Sequence, residues 1–268
     1  MASGHLFDLS GRVALVTGGN SGLGLGFAEG IARCGGDVVI WGRRLDANAR
    51  AAETLAGFGA RVHHQSVDVS DEAAVIAGFA EAVEVMGRVD CVVANAGVFT
   101  TGERYHELPA AHWHKVLAID LHGAHFTLQA GIRHMLARKE AGDPGGSLLV
   151  CGSLTSRYGV PRSESYAAAK GALASIVRCI AAEYGNDGIR ANIVLPGFIR
   201  TDAYRRDAKT GASTADQFTA VLEERTPIPR WGYPADFRGV AAYLMSDAAG
   251  FHTGDVITID GGWSSSVF

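Results

Sequence analysis

The chain has 268 residues, of which 47% are hydrophobic and 19% charged, and its formal net charge is −4 at neutral pH. A chain of this length can bury a large core, and its weak charge indicates neither a nucleic-acid nor a membrane surface. The four cysteines are scattered in apolar runs, which indicates buried thiols rather than disulfides or a metal site. No apolar run is long enough to span a bilayer, and the N-terminal residues do not have the basic-apolar pattern of a signal segment, so we expect a cytoplasmic protein.

Short apolar runs alternate with helical patterns after a polar leader at residues 1–11. We predict strands at 12–17, 37–41, 61–65, 89–94, 147–151, 189–195 and 256–259. We predict a helix through Phe27, Ile31 and Cys34, and helices over 46–58, 71–86 with Ser70 as N-cap, and about 109–138. A further helix carries Tyr166 and Lys170 and continues to Tyr184, and another runs from Pro234 through Met245. Residues 202–230 are polar and less periodic, which is typical of a substrate lid.

Strands that alternate with helices predict an α/β fold. We expect a doubly wound, mostly parallel, seven-stranded Rossmann-type sheet with helices on both faces, in a single domain over residues 1–268. Ligands of such sheets bind beyond the carboxyl ends of the strands. Several motifs follow strand ends in this chain, so we expect them to form one site.

A glycine-rich turn, Thr17-Gly18-Gly19-Asn20-Ser21-Gly22-Leu23-Gly24, joins the first strand to its helix. Glycines let a pyrophosphate approach the backbone, and a helix N-terminus offers free N–H groups to it. The pattern therefore predicts a dinucleotide site, the alternative being a glycine-rich turn without a ligand.

Gly42-Arg43-Arg44 follows the second strand, where the adenosine ribose lies in dinucleotide folds. An acid here binds a 2′-hydroxyl, whereas arginine accommodates a 2′-phosphate, so the sequence favours NADP over NAD. Two alternatives are a solvated basic turn and an arginine that stacks on adenine. If the first interpretation holds, replacing Gly42 by aspartate should reverse the preference by repelling the phosphate.

Tyr166 and Lys170 are four residues apart on a predicted helix and project from the same face. The ammonium should lower the pKa of the phenol, which could then exchange a proton with a carbonyl or alcohol oxygen. Ser153, at the end of the fifth strand, is placed to hold the same oxygen. Asn95-Ala96-Gly97 follows the fourth strand, and a turn without ligand is its simpler interpretation.

Histidines give no metal-site pattern. His63 and His64 are adjacent on a strand and point to opposite faces. His122 and His125 lie one helical turn apart, but no third ligand shares their register. We therefore predict that the protein binds no metal.

Taken together, these motifs resemble the short-chain dehydrogenase/reductase family over nearly the whole chain. The resemblance rests on the turn at 17–24, Asp68-Val69, Asn95-Ala96-Gly97, Ser153 with Tyr166 and Lys170, the segment Pro196-Gly197-Phe198-Ile199-Arg200-Thr201, and the final Asp260-Gly261-Gly262. It implies an NAD(P)-dependent enzyme acting on CH–OH or C=O groups, usually a homotetramer with the helices of Asp120 and Tyr166 at an interface.

The resemblance also implies roles for matching residues. Tyr166 would be the acid/base, with Lys170 tuning it and binding the nicotinamide ribose. The residues expected to bind cofactor are Gly18, Asn20, Ser21, Gly22, Leu23, Gly24, Arg43, Arg44, Asp68, Val69, Asn95, Ala96, Gly97, Tyr166, Lys170, Pro196, Gly197, Ile199 and Thr201.

Asp120 departs from the family pattern, which commonly has asparagine there. The asparagine acts largely through its main-chain carbonyl, which aspartate preserves, but a carboxylate near Lys170 could change the tuning of Tyr166. The alternative is that Asp120 is a solvated helix residue.

The sequence predicts hydride transfer between NADP(H) and a carbonyl or secondary alcohol. One alternative is an NAD-linked sugar or polyol dehydrogenase, and another is a non-catalytic NADP-binding regulator. The substrate loops are expected at 98–106, 155–163 and 202–230. Their arginines, Arg157, Arg162, Arg205 and Arg206, suit either an anionic substrate or plain solvation.

Overall fold

The computed structural model describes residues 6–100, 102–201 and 212–266, with only the backbone of 212–218. The strands are β1 (Val13–Thr17), β2 (Asp37–Trp41), β3 (Val62–Gln65), β4 (Cys91–Ala94), β5 (Gly146–Cys151), β6 (Ile189–Pro196) and β7 (Val256–Ile259). The α-helices are α1 (Gly22–Arg33), α2 (Leu45–Ala56), α3 (Glu72–Met86), α4 (Ala110–Leu117), α5 (Gly123–Glu140), α6 (Glu164–Tyr184), α7 (Ala212–Arg225) and α8 (Arg238–Met245).

Within the described residues the seven strands form one sheet in the order β3-β2-β1-β4-β5-β6-β7. Every neighbouring pair is parallel, and β1 lies between β2 and β4. The chain therefore reverses its winding direction at β1, which opens a crevice beyond the carboxyl ends of β1 and β4. The predicted fold class is confirmed, with the sheet wholly rather than mostly parallel.

The sheet is buried on both faces, because successive strand residues point to opposite sides. Val13 and Leu15 of β1 pack into one hydrophobic cluster with α3, α5 and α6. Ala14 and Val16 pack into a second cluster with α1, α2 and α8. From Val13 to Val16, β1 is a continuous apolar run in the sequence because the residues on both of its faces are buried.

Two local features differ from the sequence-based expectations. Leu9, within the expected polar leader, is buried, and its N–H donates to the carbonyl of Cys34 at 2.8 Å. The N-cap of α3 is Asp71 rather than Ser70, since the Asp71 carboxylate accepts from the N–H groups of Ala73 and Ala74. Ser70 instead donates its hydroxyl to Asp68 at 2.7 Å.

The long helix expected over 109–138 is interrupted. A π-helical turn, Ala118–His122, separates α4 from α5 and carries Asp120 at its centre. Such turns insert a residue into the helical ladder and often occur at functional sites. The turn directs Asp120 into the protein interior, where none of its surface is exposed.

The expected lid at 202–230 contains helix α7, which the sequence pattern did not predict. Residues 202–211, including Arg205 and Arg206, lie outside the described residues. Where the chain is described, no helix has the length and apolar character needed to cross a membrane.

Candidate active site

A cleft of about 630 Å³ lies beyond the carboxyl ends of β1, β2 and β4. Thirteen of the expected cofactor residues line it: Gly18, Asn20, Ser21, Gly22, Leu23, Arg43, Arg44, Asp68, Val69, Asn95, Ala96, Gly97 and Thr201. These residues come from four separate stretches of sequence and from the segment after β6. The parallel sheet brings them together, as the positions after the strand ends predicted.

The glycine-rich turn has the shape that a pyrophosphate requires. Gly18 and Gly22 have φ angles of 64° and 55°, in the left-handed region that favours glycine. Ser21 precedes α1, and its side chain caps no N–H group of the helix among the described residues. The first turn of α1 can therefore offer its backbone N–H groups and positive dipole end to an anion. These residues fit a dinucleotide.

Gly24 has a packing role behind the turn. A Cβ atom there would lie 2.2 Å from the carbonyl oxygen of Gly18 and 2.5 Å from Nδ2 of Asn95. Asn95 in turn donates Nδ2 to the carbonyl of Thr17 at 2.9 Å. The Thr17 hydroxyl accepts from the N–H groups of Asn95 and Ala96 at 2.9 Å each. Asn95 thus joins the ends of β1 and β4 and is more than a turn residue.

Arg43 and Arg44 stand at the end of the cleft beside β2, and both are exposed. Nη1 of Arg43 lies 3.9 Å from Oδ2 of Asp68. The pKa of Asp68 lies below its ordinary value, chiefly because the Ser70 hydroxyl donates to the carboxylate, with a contribution from Arg43. Arg43 therefore has only a long contact with Asp68, and its exposed guanidinium is free to contact a ligand.

Lys170 and Asp120 form a buried ion pair beyond the other end of the cleft. Nζ of Lys170 lies 3.6 Å from Oδ2 of Asp120, and the two side chains are 4% and 0% exposed. Lys170 donates to the carbonyl of Cys151 at 3.0 Å, and Oδ1 of Asp120 accepts from the N–H of Val98 at 2.8 Å. No described residue donates a hydrogen bond to Oδ2 of Asp120. Asp120 is not a solvated residue.

Tyr166 lies beside this pair. Nζ of Lys170 is 5.5 Å from the centre of the Tyr166 ring. The Ser153 hydroxyl accepts from the N–H of Thr155 at 3.2 Å, and Ser153 acts to lower the pKa of Tyr166. Phe99, a residue of the cleft, meets the same ring edge-on with centroids 5.1 Å apart. A Cβ atom on Gly97 would lie 2.9 Å from Oδ2 of Asp120 and 3.4 Å from Nζ of Lys170. Gly97 and Phe99, which line the cleft, are therefore the residues that bring it next to these side chains.

The pKa values of this group differ from the simple sequence expectation. Burial is the largest influence on the phenol and raises the pKa of Tyr166 above its ordinary value, although Lys170 acts to lower it. Burial likewise raises the pKa of Asp120, against the effect of Lys170. Burial would lower the pKa of Lys170, but the negative charges of Tyr166 and Asp120 outweigh it. The Lys170 ammonium therefore interacts with two acidic groups, the Tyr166 phenol and the Asp120 carboxyl.

The remaining expected cofactor residues lie outside the cleft. Ile199 borders a second cavity of about 170 Å³ beneath α7, together with Leu222 and Asp260. Gly197, after Pro196 at the end of β6, bonds its N–H to the carbonyl of Ile259 at 3.0 Å. A Cβ atom on Gly197 would lie 2.6 Å from that of Asp260. Glycine at 197 therefore allows the chain to pass close to the end of β7.

The arginines considered for an anionic substrate are not all directed at the cleft. Arg157 donates to Oγ1 of Thr258 on β7 at 3.3 Å. Arg162 has a φ of 64°, and its carbonyl accepts from the N–H of Gly102 at 2.8 Å. The second contact joins the loops at 98–106 and 155–163.

Some residues at the site were not predicted from the sequence. Trp41, Val67 and Ile119 line the cleft, and Asn48 lies behind Gly42. Val98, Phe99 and Thr100 also line this cleft, and they belong to the loop at 98–106 that was expected to shape the substrate pocket. Asn48 shares a buried helix face with Ala51 and Leu55, three and seven positions on. A polar residue in an apolar helical register is the signal that could have identified it. Among the described residues no cluster of His, Cys, Asp or Glu could hold a metal.

A parallel α/β sheet with a cleft beyond its strand ends and a glycine-rich turn before a helix is typical of nucleotide-binding enzymes. The family model described as enoyl-(acyl carrier protein) reductase matches residues 18–264. A gluconate 5-dehydrogenase of Gluconobacter oxydans is 32% identical over 267 residues, covering 100% of each chain. A cis-4-hydroxycyclohexanecarboxylate dehydrogenase of Sinomonas cyclohexanicum is 35% identical over 254 residues, covering 95% of this chain and 97% of that enzyme.

Solved structures agree with these sequence comparisons. A gluconate 5-dehydrogenase from Burkholderia cenocepacia, in complex with NADP and tartrate, superposes with a TM-score of 0.87 at 32% identity. The match covers 97% of this chain and 98% of that one. The chain belongs to the short-chain dehydrogenase/reductase family. It is an oxidoreductase that uses NADP or NAD and acts on CH–OH or C=O groups, so these predictions are confirmed.

Proposed function

We propose that the chain interconverts a secondary alcohol and a ketone with NADP(H) in preference to NAD(H), and that Tyr166 is its general acid/base. One observation carries this proposal: the cleft of the glycine-rich turn ends at the Tyr166–Lys170 cluster, in contact through Gly97 and Phe99. A cofactor bound along this cleft would supply a hydride acceptor or donor at that end.

In the oxidative direction, the substrate hydroxyl would donate a hydrogen bond to the Tyr166 phenolate and accept one from Ser153. Tyr166 would take the hydroxyl proton while the carbon loses hydride, which leaves a ketone. Lys170 stabilises the phenolate through its positive charge. In the reductive direction the neutral phenol would return the proton to the carbonyl oxygen.

We assign the nucleotide to the residues that line the cleft. The turn from Gly18 to Gly24 would hold the phosphates, and Asp68 with Val69 would meet the adenine. Asn95 to Gly97 would lie along the adenosine ribose, and Lys170 would bind the nicotinamide ribose. Pro196, Gly197, Ile199 and Thr201 would lie at the carboxamide. The fit of the glycine-rich turn and the uncapped start of α1 supports this assignment.

For the substrate we propose a hydroxylated carboxylic acid. The support comes from the names of similar enzymes, which act on gluconate or cis-4-hydroxycyclohexanecarboxylate, and from tartrate in one related structure. Each of these molecules carries a carboxylate and a secondary alcohol.

The test is a panel of gluconate, 4-hydroxycyclohexanecarboxylate, an uncharged polyol and a 3-oxoacyl thioester, followed by NAD(P)H absorbance. We expect a hydroxy acid to give the highest kcat/KM, by roughly tenfold or more. A preference for the polyol or the thioester would overturn the substrate class. Tight NADPH binding without any turnover would instead favour the regulator alternative.

Arg43→Ala should remove most of the preference for NADPH. Charge-assisted hydrogen bonds from a guanidinium to a 2′-phosphate contribute roughly 1.5–3 kcal/mol, and each ~1.4 kcal/mol is a factor of ten. We therefore expect kcat/KM for NADPH to fall at least tenfold, with little change for NADH. Steady-state kinetics with both cofactors measure this. An equal loss for both cofactors would show that Arg43 stacks on adenine, and a wild-type preference for NADH would refute the NADP assignment.

Asp120→Asn should shift the pH dependence of oxidation to lower pH. The introduced amide could still accept from the N–H of Val98, but the negative charge that raises the pKa of Tyr166 would be lost. Because oxidation needs the phenolate, its rate should then rise at a lower pH, with the maximal kcat changed less than roughly tenfold. An unshifted profile would contradict the coupling. A hundredfold loss of kcat at every pH would show a direct catalytic role for the carboxylate.

We further propose a cytoplasmic homotetramer. All four cysteines are free thiols, which suits a reducing compartment. Cys91 and Cys151 are buried as expected, whereas Cys34 is half-buried and Cys179 is exposed, which corrects the expectation for those two. The family resemblance supports the tetramer, with α5 and α6 at an interface.

A further inference from the structure

Gly42 is glycine for a reason other than backbone geometry. Its φ angle lies outside the left-handed region that favours glycine. A Cβ atom there, however, would lie 2.3 Å from Nδ2 of Asn20 and 2.6 Å from Oδ1 of Asn48. Such distances are shorter than any ordinary contact, so two amide side chains occupy the space that a side chain at position 42 needs.

Asn48 is held firmly in that space. It is completely buried, and its Nδ2 donates to the carbonyls of Gly42 and Gln65, both at 2.8 Å. Its Oδ1 accepts from Nδ2 of Asn20 at 2.6 Å. Rotating the amide away would break three hydrogen bonds in the interior and leave buried polar groups unpaired, which is costly. A side chain at position 42 therefore cannot displace Asn48 easily.

Asn20 connects this position to the phosphate end of the cleft. It belongs to the glycine-rich turn and lines the cleft, as do Gly42 and Arg43. The Asn20–Asn48 hydrogen bond therefore ties the turn after β1 to the turn after β2. A group that displaces Asn20 at Gly42 also disturbs the turn that would receive the cofactor phosphates.

We infer that Asn48 determines cofactor specificity from behind the cleft. Together with Asn20 it excludes a side chain at position 42, including the carboxylate that would recognise a ribose 2′-hydroxyl. Arg43 and Arg44 are then the charged residues next to the ribose end. The inference rests on the proposed preference for NADP(H). It predicts, against the expectation from sequence, that Gly42→Asp by itself does not reverse that preference.

The test uses three single variants, Gly42→Ala, Gly42→Asp and Asn48→Ala. It compares them with two double variants, Gly42→Ala/Asn48→Ala and Gly42→Asp/Asn48→Ala. Two measurements are made on the full-length chain: Tm without cofactor, and Kd of NADPH and of NADH by fluorescence titration. Gly42→Ala adds only the Cβ atom, so it separates the steric effect from charge. Gly239→Ala is the matched control, because a Cβ atom on Gly239 in α8 meets nothing within 4 Å.

We expect Gly42→Ala to lower Tm on the order of 5 °C, as overpacking does, whereas Gly239→Ala leaves Tm unchanged or raises it. Gly42→Asp should weaken the binding of both cofactors, because it displaces Asn20. Asn48→Ala by itself should lower Tm, because it leaves the carbonyls of Gly42 and Gln65 without their donor. In its presence, however, the change at position 42 should lower Tm by less than it does with Asn48 intact. The Gly42→Asp/Asn48→Ala double variant should bind NADH at least tenfold more tightly than Gly42→Asp alone.

Three results would overturn the inference. The first is a wild-type Tm for Gly42→Ala, and the second is tighter binding of NADH than of NADPH by Gly42→Asp with Asn48 intact. The third is a set of strictly additive Tm changes at positions 42 and 48. A different result would show that the proposed function is wrong. In that case the wild-type chain would bind NADH more tightly than NADPH, while the Tm changes at positions 42 and 48 would still be non-additive.

Discussion

Tyr166→Phe should reduce kcat by roughly 10²–10⁴-fold while NADPH still binds. The substitution removes a single oxygen from a side chain packed between Phe99 and Lys170. Its ring contacts remain, so the cleft should keep its shape. What is lost is the positioned proton donor and acceptor. Steady-state kinetics on the preferred substrate, with the Kd of NADPH measured by fluorescence, separate the catalytic loss from any loss of binding.

Tyr158→Phe is a matched control for this experiment. Tyr158 is also a tyrosine of the region after β5, and its hydroxyl donates to the carbonyl of Ser264 at 3.1 Å. Removing that hydroxyl breaks one partly exposed hydrogen bond, and kcat should fall much less than for Tyr166→Phe. A Tyr166→Phe variant with wild-type kcat would show that the proton comes from elsewhere.

The sequence predicted the sheet and the location of the cleft because both depend on strong, repeated patterns. Buried parallel strands contain continuous apolar runs, such as Val38 to Trp41 of β2, and β1 is followed at once by a glycine-rich turn. In a parallel sheet the strand ends meet at one edge, so residues as distant as Gly18, Arg43 and Asn95 could be expected to line one cleft.

The details of the site depend on contacts that no local pattern contains. The π-helical turn around Asp120 looks like ordinary helix in the sequence, since its apolar spacing continues from α4 into α5. The space behind Gly42 is filled by Asn48, six residues away on another element. Both features arise from side chains that meet only once the elements have packed.

The pKa of Tyr166 is another property that the sequence pattern predicts only in part. The spacing of Tyr166 and Lys170 correctly indicates that the ammonium lowers the pKa of the phenol. The extent of burial and the second acid at Asp120 are properties of the folded chain, and together they raise that pKa above its ordinary value. The spacing indicates the sign of one interaction but not the sum of all of them.

Lys170→Met should both impair catalysis and destabilise the fold. Without the ammonium, the phenolate of Tyr166 is less favoured, so oxidation should become fast only at higher pH. The substitution also leaves the Asp120 carboxylate buried without its partner, at 0% exposure. Breaking one side of a buried pair costs about 3–5 kcal/mol, which corresponds to a decrease in Tm on the order of 10 °C. Kinetics across pH and thermal unfolding measure the two effects.

The pH dependence of stability should identify Asp120 as the origin of the lower Tm of Lys170→Met. Burial raises the pKa of the Asp120 carboxyl in the folded state, and loss of Lys170 should raise it further. A folded-state pKa above that of the unfolded chain means that folding favours the protonated form. The stability deficit of Lys170→Met relative to wild type should therefore be smallest at acidic pH. It should grow as the pH rises from the folded-state pKa of Asp120 in the wild-type chain towards the higher folded-state pKa in the variant.

Adding Asp120→Asn to Lys170→Met should restore much of the lost Tm, because no uncompensated buried charge remains, while oxidation stays shifted to high pH. Lys139→Met is the matched control, since Lys139 forms an exposed pair with Asp187 and such pairs contribute about 0–1 kcal/mol. If Lys170→Met and the double variant lost the same Tm at every pH, the carboxylate would not be the cause. The destabilisation would then come from the lost hydrogen bond between Lys170 and the carbonyl of Cys151, which both variants lack.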